Sequence, residues 1–167
     1  MNFNQEYKSK YLKYKAKYLN LIKLTTILVG GSFIKKFGSY GSDDGQFKRP
    51  SCITQLEDGN IAVCDNNRVQ IFDIDGNFIK KFGSYGSDDG QFKRPSYITQ
   101  LKDGNIAVCD NNRVQIFDID ENFIKKIGSR GSDDGQFIHP SCITQLEDGN
   151  VAICDEYNVN IQIFDID

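Results

Sequence analysis

The fourteen residues GSYGSDDGQFKRPS at positions 38–51 return letter for letter at 83–96, and return altered, as GSRGSDDGQFIHPS, at 128–141. Glycine, aspartate and proline crowd this stretch, and such clusters punctuate a chain rather than form regular structure. The stretch therefore reads as a connection, and what it connects must also repeat. Aligning Phe33, Phe78 and Phe123 gives a period of 45 residues, a length typical of repeat architectures that has to be settled before any local reading. Within one period, SCITQLEDGNIAVCD (51–65) reads as strand, Asp-Gly turn and strand, RVQIFDID (68–75) as a third alternating run, and NFIKKFG (77–83) as a fourth. Residues 33–77 and 78–122 differ only at Cys52/Tyr97, Glu57/Lys102 and Gly76/Glu121.

These features, in this order, resemble the NHL repeat over residues 31–167: a Gly-x-Phe-x-x-Pro opening at Gly45, Phe47 and Pro50, an Asp-Gly-Asn turn, an apolar strand ending in Asp, the run Arg-Val-Gln-Ile-Phe, and a closing Phe-Gly. The resemblance implies an all-β fold, a partial, three-blade NHL-type β-propeller preceded by an amphipathic helix. The opening stretch then carries the chain from the outer strand of one blade to the innermost strand of the next, with Gln46, Phe47 and Pro50 expected to pack on the neighbouring blade. In the third copy, CDEYNVNIQIFD is two residues longer than CDNNRVQIFD and places Asn160 where NHL repeats commonly carry Arg.

The blades fall at about 45–82, 90–127 and 135–167, after an orphan outer strand at 33–37. Three blades do not enclose a ring, since propellers use roughly four to eight. Two outcomes stay open: two chains closing a six-bladed ring as a homodimer, each lending its 33–37 strand to the other, or an open arc from a shortened product.

At 39% apolar and 26% charged residues, the composition excludes a disordered chain. The formal charge of -3 hides a split, because residues 1–27 carry six Lys against one Glu. That leader places Tyr7, Tyr11, Tyr14, Tyr18 and Leu21 at helical spacing among lysines. It resembles an N-terminal segment recurring in proteins of giant DNA viruses that infect amoebae, which makes a viral origin the expectation. The division expected is a basic helical leader at 1–30 and repeats at 31–167. Lys23 interrupts LIKLTTILVGG, so neither a secretion signal nor a transmembrane segment is expected, and the expected location is intracellular.

Five cysteines recur with the repeat, and a two-residue turn at Asp58-Gly59 would set Cys64 opposite Ile53 and send Cys52 to the other face, so that the two cannot bridge. His139 is the single histidine, which leaves no Cys/His zinc site, and no cofactor or metal is expected. Asp65, Asp110 and Asp155 end the second strands, where they are expected to bond the amides of the turn that follows rather than form a metal ring. No nucleophile, base and acid set can be drawn, and the expected activity is binding without catalysis. The candidate binding residues are Tyr40, Lys48, Arg49, Arg68, Tyr85, Lys93, Arg94, Arg113 and Arg130, a basic and aromatic set on the loop face. A protein or peptide partner is the first reading and single-stranded RNA the alternative; a metal-dependent propeller lyase or lactonase, which the resemblance also admits, ranks below both because the single His139 cannot supply several histidine ligands. RNA is disfavoured because the repeats are acidic overall and Lys-Arg becomes Ile138-His139 in the third copy.

Overall fold

The structure is a computed structural model that describes residues 12–17 and 31–166. The chain divides into two compact units, residues 1–35 and 36–167. In the first, residues 12–17 are helical and exposed; the remainder of the leader reading lies outside the described residues. No helix among the described residues is long and apolar enough to cross a membrane.

In the second unit each repeat forms its own antiparallel sheet. After the two-residue strands β1 (Ser39–Tyr40) and β2 (Gln46–Phe47), the first blade is built from β3 (Pro50–Gln55), β4 (Ile61–Asp65), β5 (Arg68–Phe72) and β6 (Phe78–Phe82), in the order β3-β4-β5-β6. The second blade repeats this with β7 (Pro95–Gln100), β8 (Ile106–Asp110), β9 (Arg113–Phe117) and β10 (Phe123–Ile127). After β11 (Ser129–Arg130) and β12 (Gln136–Phe137), the third blade has three strands, β13 (Pro140–Gln145), β14 (Val151–Asp155) and β15 (Asn160–Phe164). Residues 31–38 hold no strand. Phe37 instead lays its ring 5.1 Å from Phe72 and 6.5 Å from Phe47, much as Phe82 of the first blade meets Phe117 at 5.0 Å and Phe92 at 6.1 Å in the second.

The cores lie between blades. Ala62, Cys64, Val69 and Ile71 of the first blade pack on Phe92, Ile98, Ile106, Val108 and Phe117. One period later, Ala107, Cys109, Val114 and Ile116 pack on Phe137, Ile143, Val151 and Ile153. The connection phenylalanines therefore do pack on the neighbouring blade, with Phe92 and Phe137 fully buried.

The hairpin register corrects the sequence reading. Leu56 donates its amide to Asn60 O at 2.8 Å, and Gly59 N bonds Leu56 O at 2.9 Å. Three residues rather than two therefore make the loop, with Gly59 at φ 86° as the left-handed residue that closes it. The extra residue slips the ladder by one, so Cys52 stands directly opposite Cys64 and Ile53 opposite Val63. Cys142 likewise opposes Cys154, and all five cysteines are free thiols. The same turn type joins β5 to β6, with Gly76 at φ 86°, and β9 to β10, where Glu121 holds φ 63° and pairs with Lys80. The second copy thus keeps the turn geometry even where glycine is lost.

Candidate binding face

The connection between blades is held by the side chains of the blade it enters. Arg68 on β5 donates Nη1 to Ser42 O at 2.7 Å and Nη2 to Asp43 O at 3.2 Å and Gln46 O at 2.7 Å. Gln70, fully buried, gives Nε2 to Gln46 O at 2.8 Å and accepts Gly45 N at 3.0 Å. Arg113 and Gln115 do the same one period later, with Arg113 on Ser87 O, Asp88 O and Gln91 O at 2.7, 3.0 and 2.8 Å. Two of the sequence candidates, Arg68 and Arg113, thus have their guanidinium donors committed to backbone carbonyls of the chain itself. The third blade keeps the glutamine, Gln162 bonding Gly135 N and Gln136 O, but has Asn160 in place of Arg and makes up for it through the longer loop. There Asn158 Nδ2 reaches Gly131 O at 2.9 Å and Asp155 Oδ2 at 2.8 Å.

All three strand-ending aspartates bind backbone, but for Asp65 and Asp110 the partners are not where the sequence placed them, whereas Asp155 does take amides of the turn that follows it. Asp65 Oδ1 accepts Lys48 N at 2.9 Å and Arg49 N at 2.6 Å, and Asp110 Oδ1 accepts Lys93 N and Arg94 N at 2.9 and 2.7 Å. These amides belong to the connection sixteen and seventeen residues upstream, not to the following turn. Only Asp155 serves both sides, accepting Ile138 N and His139 N and also Tyr157 N and Asn158 N. Among the described residues, no cluster of three His, Cys, Asp or Glu side chains could hold a metal ion.

These settings move two of the carboxyls in opposite directions. Burial pushes Asp110 above the usual carboxylate range against the pull of the Arg94 and Lys93 amides and of Arg113. Burial also acts upward on Asp155, but the amides of His139, Ile138, Asn158 and Tyr157 outweigh it and hold that carboxyl low. A carboxyl held below its unfolded value of about 3.9 contributes stability above that pH and loses it as the pH falls toward the lower folded value. Asp155 therefore steepens acid unfolding, whereas Asp110 is relieved by protonation and works the other way. In urea titrations at about pH 5 and pH 3, either side of that unfolded value, Asp155→Asn is expected to lose less stability between the two than the unaltered chain; an unchanged difference would refute its role.

Burial pushes the Cys64 and Cys109 thiols well up, so both stay protonated and weakly nucleophilic.

The remaining candidates face solvent. Tyr40 and Tyr85 are 85% and 72% exposed, and Arg130, at the same repeat position, is exposed too. Lys48, Lys93, Arg49 and Arg94 are also exposed, and although their amides serve Asp65 and Asp110, no side-chain acceptor appears for them among the described residues. Two cavities open among these groups. One of about 360 Å³ is lined by Lys93, Arg113, Lys126 and Arg130 together with Asn111 and Ser129. A smaller one of about 120 Å³ brings Arg49, Arg94 and His139 together with Asn66, Ser51 and Ser96. Arg49, Arg94 and His139 stand 45 residues apart at one repeat position, each just ahead of an inner strand, so the topology draws three equivalent side chains into one hollow. Sequence reasoning left out His139 and Lys126; the repeat register alone could have placed the first beside the two arginines. His139 Nδ1 is buried without a hydrogen-bond partner, 3.5 Å from Glu156 Oε2, and its ring lies 5.1 Å from that of Tyr157.

Three solved structures share this fold. A catalytically inactive virginiamycin B lyase from Staphylococcus aureus, solved with quinupristin, aligns with a TM-score of 0.53 at 18% identity, over 81% of this chain and 46% of that one. A protein from Bacteroides fragilis described as exported aligns at 0.54 and 25% identity, over 71% of this chain and 33% of its own. The extracellular domain of a hybrid two-component system from B. thetaiotaomicron aligns at 0.52 and 14%, over 83% and 24%. The fold is a β-propeller. This chain spans less than half the length of each of these propellers. No protein-family model matches the chain, and no curated protein matches it.

Proposed function

We propose that this propeller segment is a non-catalytic binding scaffold whose loop face takes a peptide segment of a partner protein, a carboxylate of that segment lying between Arg49 and Arg94. The observation that carries this reading is the division of labour among the cations. Arg68 and Arg113 are consumed in holding the connections, while Arg49 and Arg94, in register ahead of adjacent inner strands, line one cavity with His139 and carry no internal acceptor among the described residues. Arginine's planar fork suits a carboxylate in a bidentate grip. Tyr40 and Tyr85, exposed one repeat apart, add flat amphipathic surface at low entropic cost. A repeat array that displays such groups on one face is a natural interaction surface.

Single-stranded RNA would use the same side chains, since bases stack on tyrosine and phosphates meet arginine. Against it stand the paired aspartates of every connection, Asp43-Asp44, Asp88-Asp89 and Asp133-Asp134, of which Asp44 and Asp89 already hold Lys81 and Lys126. They oppose a polyphosphate chain more than a single carboxylate.

Twelve-residue peptides with and without Glu, and an oligouridylate of equal length, are measured by fluorescence anisotropy against the full chain. Glu-bearing peptides are expected to bind in preference, with Arg94→Ala and Tyr85→Ala each weakening them by about tenfold, the scale of a charge-assisted contact of about 1.5 kcal/mol. Tighter, salt-sensitive binding of the oligouridylate would overturn the peptide reading.

A further inference from the structure

The two outermost blade faces are the two halves of an interface that the chain already makes twice. At the junction of the first and second blades, Ser51 Oγ donates to Pro95 O at 2.7 Å and Glu57 N donates to Gln100 Oε1 at 2.7 Å. At the junction of the second and third, Ser96 Oγ donates to Pro140 O at 2.9 Å and Lys102 N to Gln145 Oε1 at 2.8 Å. Each blade thus presents a serine hydroxyl and a turn amide forward, and a proline carbonyl and a glutamine carbonyl backward. The next donors in the series are Ser141 Oγ and Glu147 N of the third blade, and the acceptors at the other end are Pro50 O and Gln55 Oε1 of the first. None of these four atoms has its counterpart partner among the described residues.

The apolar side chains follow the same rule. Val69 and Val114 are 0% exposed and Ile71 and Ile116 are 1%, whereas their third-blade equivalents Ile161 and Ile163 are 68% and 62% exposed. At the opposite end Ile98 and Ile143 are 1% and 2% exposed, but Ile53 is 61%. An open groove of about 380 Å³ runs beside Ile53, lined by Phe37, Phe47, Pro50 and Val63. Isolated apolar side chains on a surface need no explanation, but a face whose every position is buried elsewhere in the same molecule does.

We infer that a second copy of this chain occupies these faces: the forward face of one copy's third blade seats on the rear face of the other's first blade, reciprocally. The contacts are fixed by the two internal junctions. Ser141 Oγ meets Pro50 O, Glu147 N meets Gln55 Oε1, and Ile161 and Ile163 cover Ile53, Val63 and Phe47. Residues 33–37 supply the fourth strand that β15 lacks, in the register by which β6 pairs with β5: Val69 with Phe82, Gln70 with Lys81 and Ile71 with Lys80 become Ile161 with Phe37, Gln162 with Lys36 and Ile163 with Lys35. A head-to-tail interface of this kind either closes or propagates. Two copies make six blades, inside the range of roughly four to eight that propellers use; three copies make nine, outside it.

Native mass and sedimentation equilibrium on the full 167-residue chain, with three variants, test the inference. The unaltered chain is expected at twice 18.9 kDa at micromolar concentration. Ile53→Asp spoils only the rear face and Ile163→Asp only the forward face, and each alone raises the dissociation constant by about 100-fold or more, the scale of a truncated hot spot. Mixing the two gives a dimer with one sound junction, the forward face of one variant on the rear face of the other, beside one junction altered on both sides. It is expected to associate more tightly than either variant alone but less tightly than the unaltered chain. In a second readout Cys154, whose equivalents Cys64 and Cys109 are buried, is expected to resist alkylation in the dimer and to react on dilution; Cys154→Ser identifies the protected thiol. A monomeric unaltered chain that gives the circular dichroism of a folded β protein overturns the proposal. So does a dimer that survives both aspartate variants.

Discussion

Asp110→Ala is expected to cost about 3–5 kcal/mol of folding stability, because two buried amide donors lose their acceptor at about 1–3 kcal/mol each. The carboxylate is 1% exposed, takes the amides of Lys93 and Arg94, and lies 3.6 Å from Arg113 Nε. Alanine would strand two buried amide donors and empty the space beside Arg113. The loss reaches past the site, because these amides lead into β7, the inner strand on which both flanking blades pack. Asp110→Asn is the control: its carboxamide oxygen still accepts the amides, so it should cost about 1–2 kcal/mol. Urea unfolding followed by far-ultraviolet circular dichroism gives both values, and a loss below about 1 kcal/mol for the alanine variant, no more than one ordinary hydrogen bond, would show that the connection holds itself.

Phe117→Ala is expected to be as damaging, at about 3–5 kcal/mol, the usual range for emptying a buried phenylalanine site. The ring is 1% exposed and meets three others, with centroids 5.0 Å from Phe82, 5.6 Å from Phe92 and 6.1 Å from Phe123. Those three come from the first blade, the connection and the second blade's own outer strand. The cavity would therefore sit where three segments meet, and no one of them can move in alone to fill it. Phe164 is the matched comparison. It holds the same repeat position in the third blade but is only half-buried, with one ring neighbour, Phe137, at 5.5 Å among the described residues. Phe164→Ala should cost about half as much or less, and equal losses would mean that the blades do not couple through these rings.

The repeat period placed the blades, and the connection residues gave their order, because a 45-residue register is a global signal that local ambiguity does not erode. Finer features depended on contacts the local sequence does not encode. An Asp-Gly pair fits a two-residue turn or a three-residue loop closed by a left-handed glycine; the bond from Asn60 N to Asp58 Oδ1 at 2.9 Å accompanies the second, and the shift sets Cys52 across from Cys64. Arg68 and Arg113 read as surface cations because their acceptors lie 22 to 26 residues upstream. The strand expected at 33–37 rests on its likeness to 78–82, but strand structure needs a partner, and no strand among the described residues pairs with these residues. Of the candidate residues, Tyr40, Tyr85, Lys48, Lys93, Arg49, Arg94 and Arg130 were legible as exposed because nothing in the repeat pattern gives them work inside the fold.

The serine-to-proline and amide-to-glutamine bonds between blades are the same at both junctions, and the first two copies are nearly identical in sequence. Unequal crossing-over between such copies in the coding sequence would add or delete one whole unit at a time. Every newly created seam would find its donors and acceptors already in place, so a change of length by one 45-residue unit is expected to leave the junctions between blades satisfied.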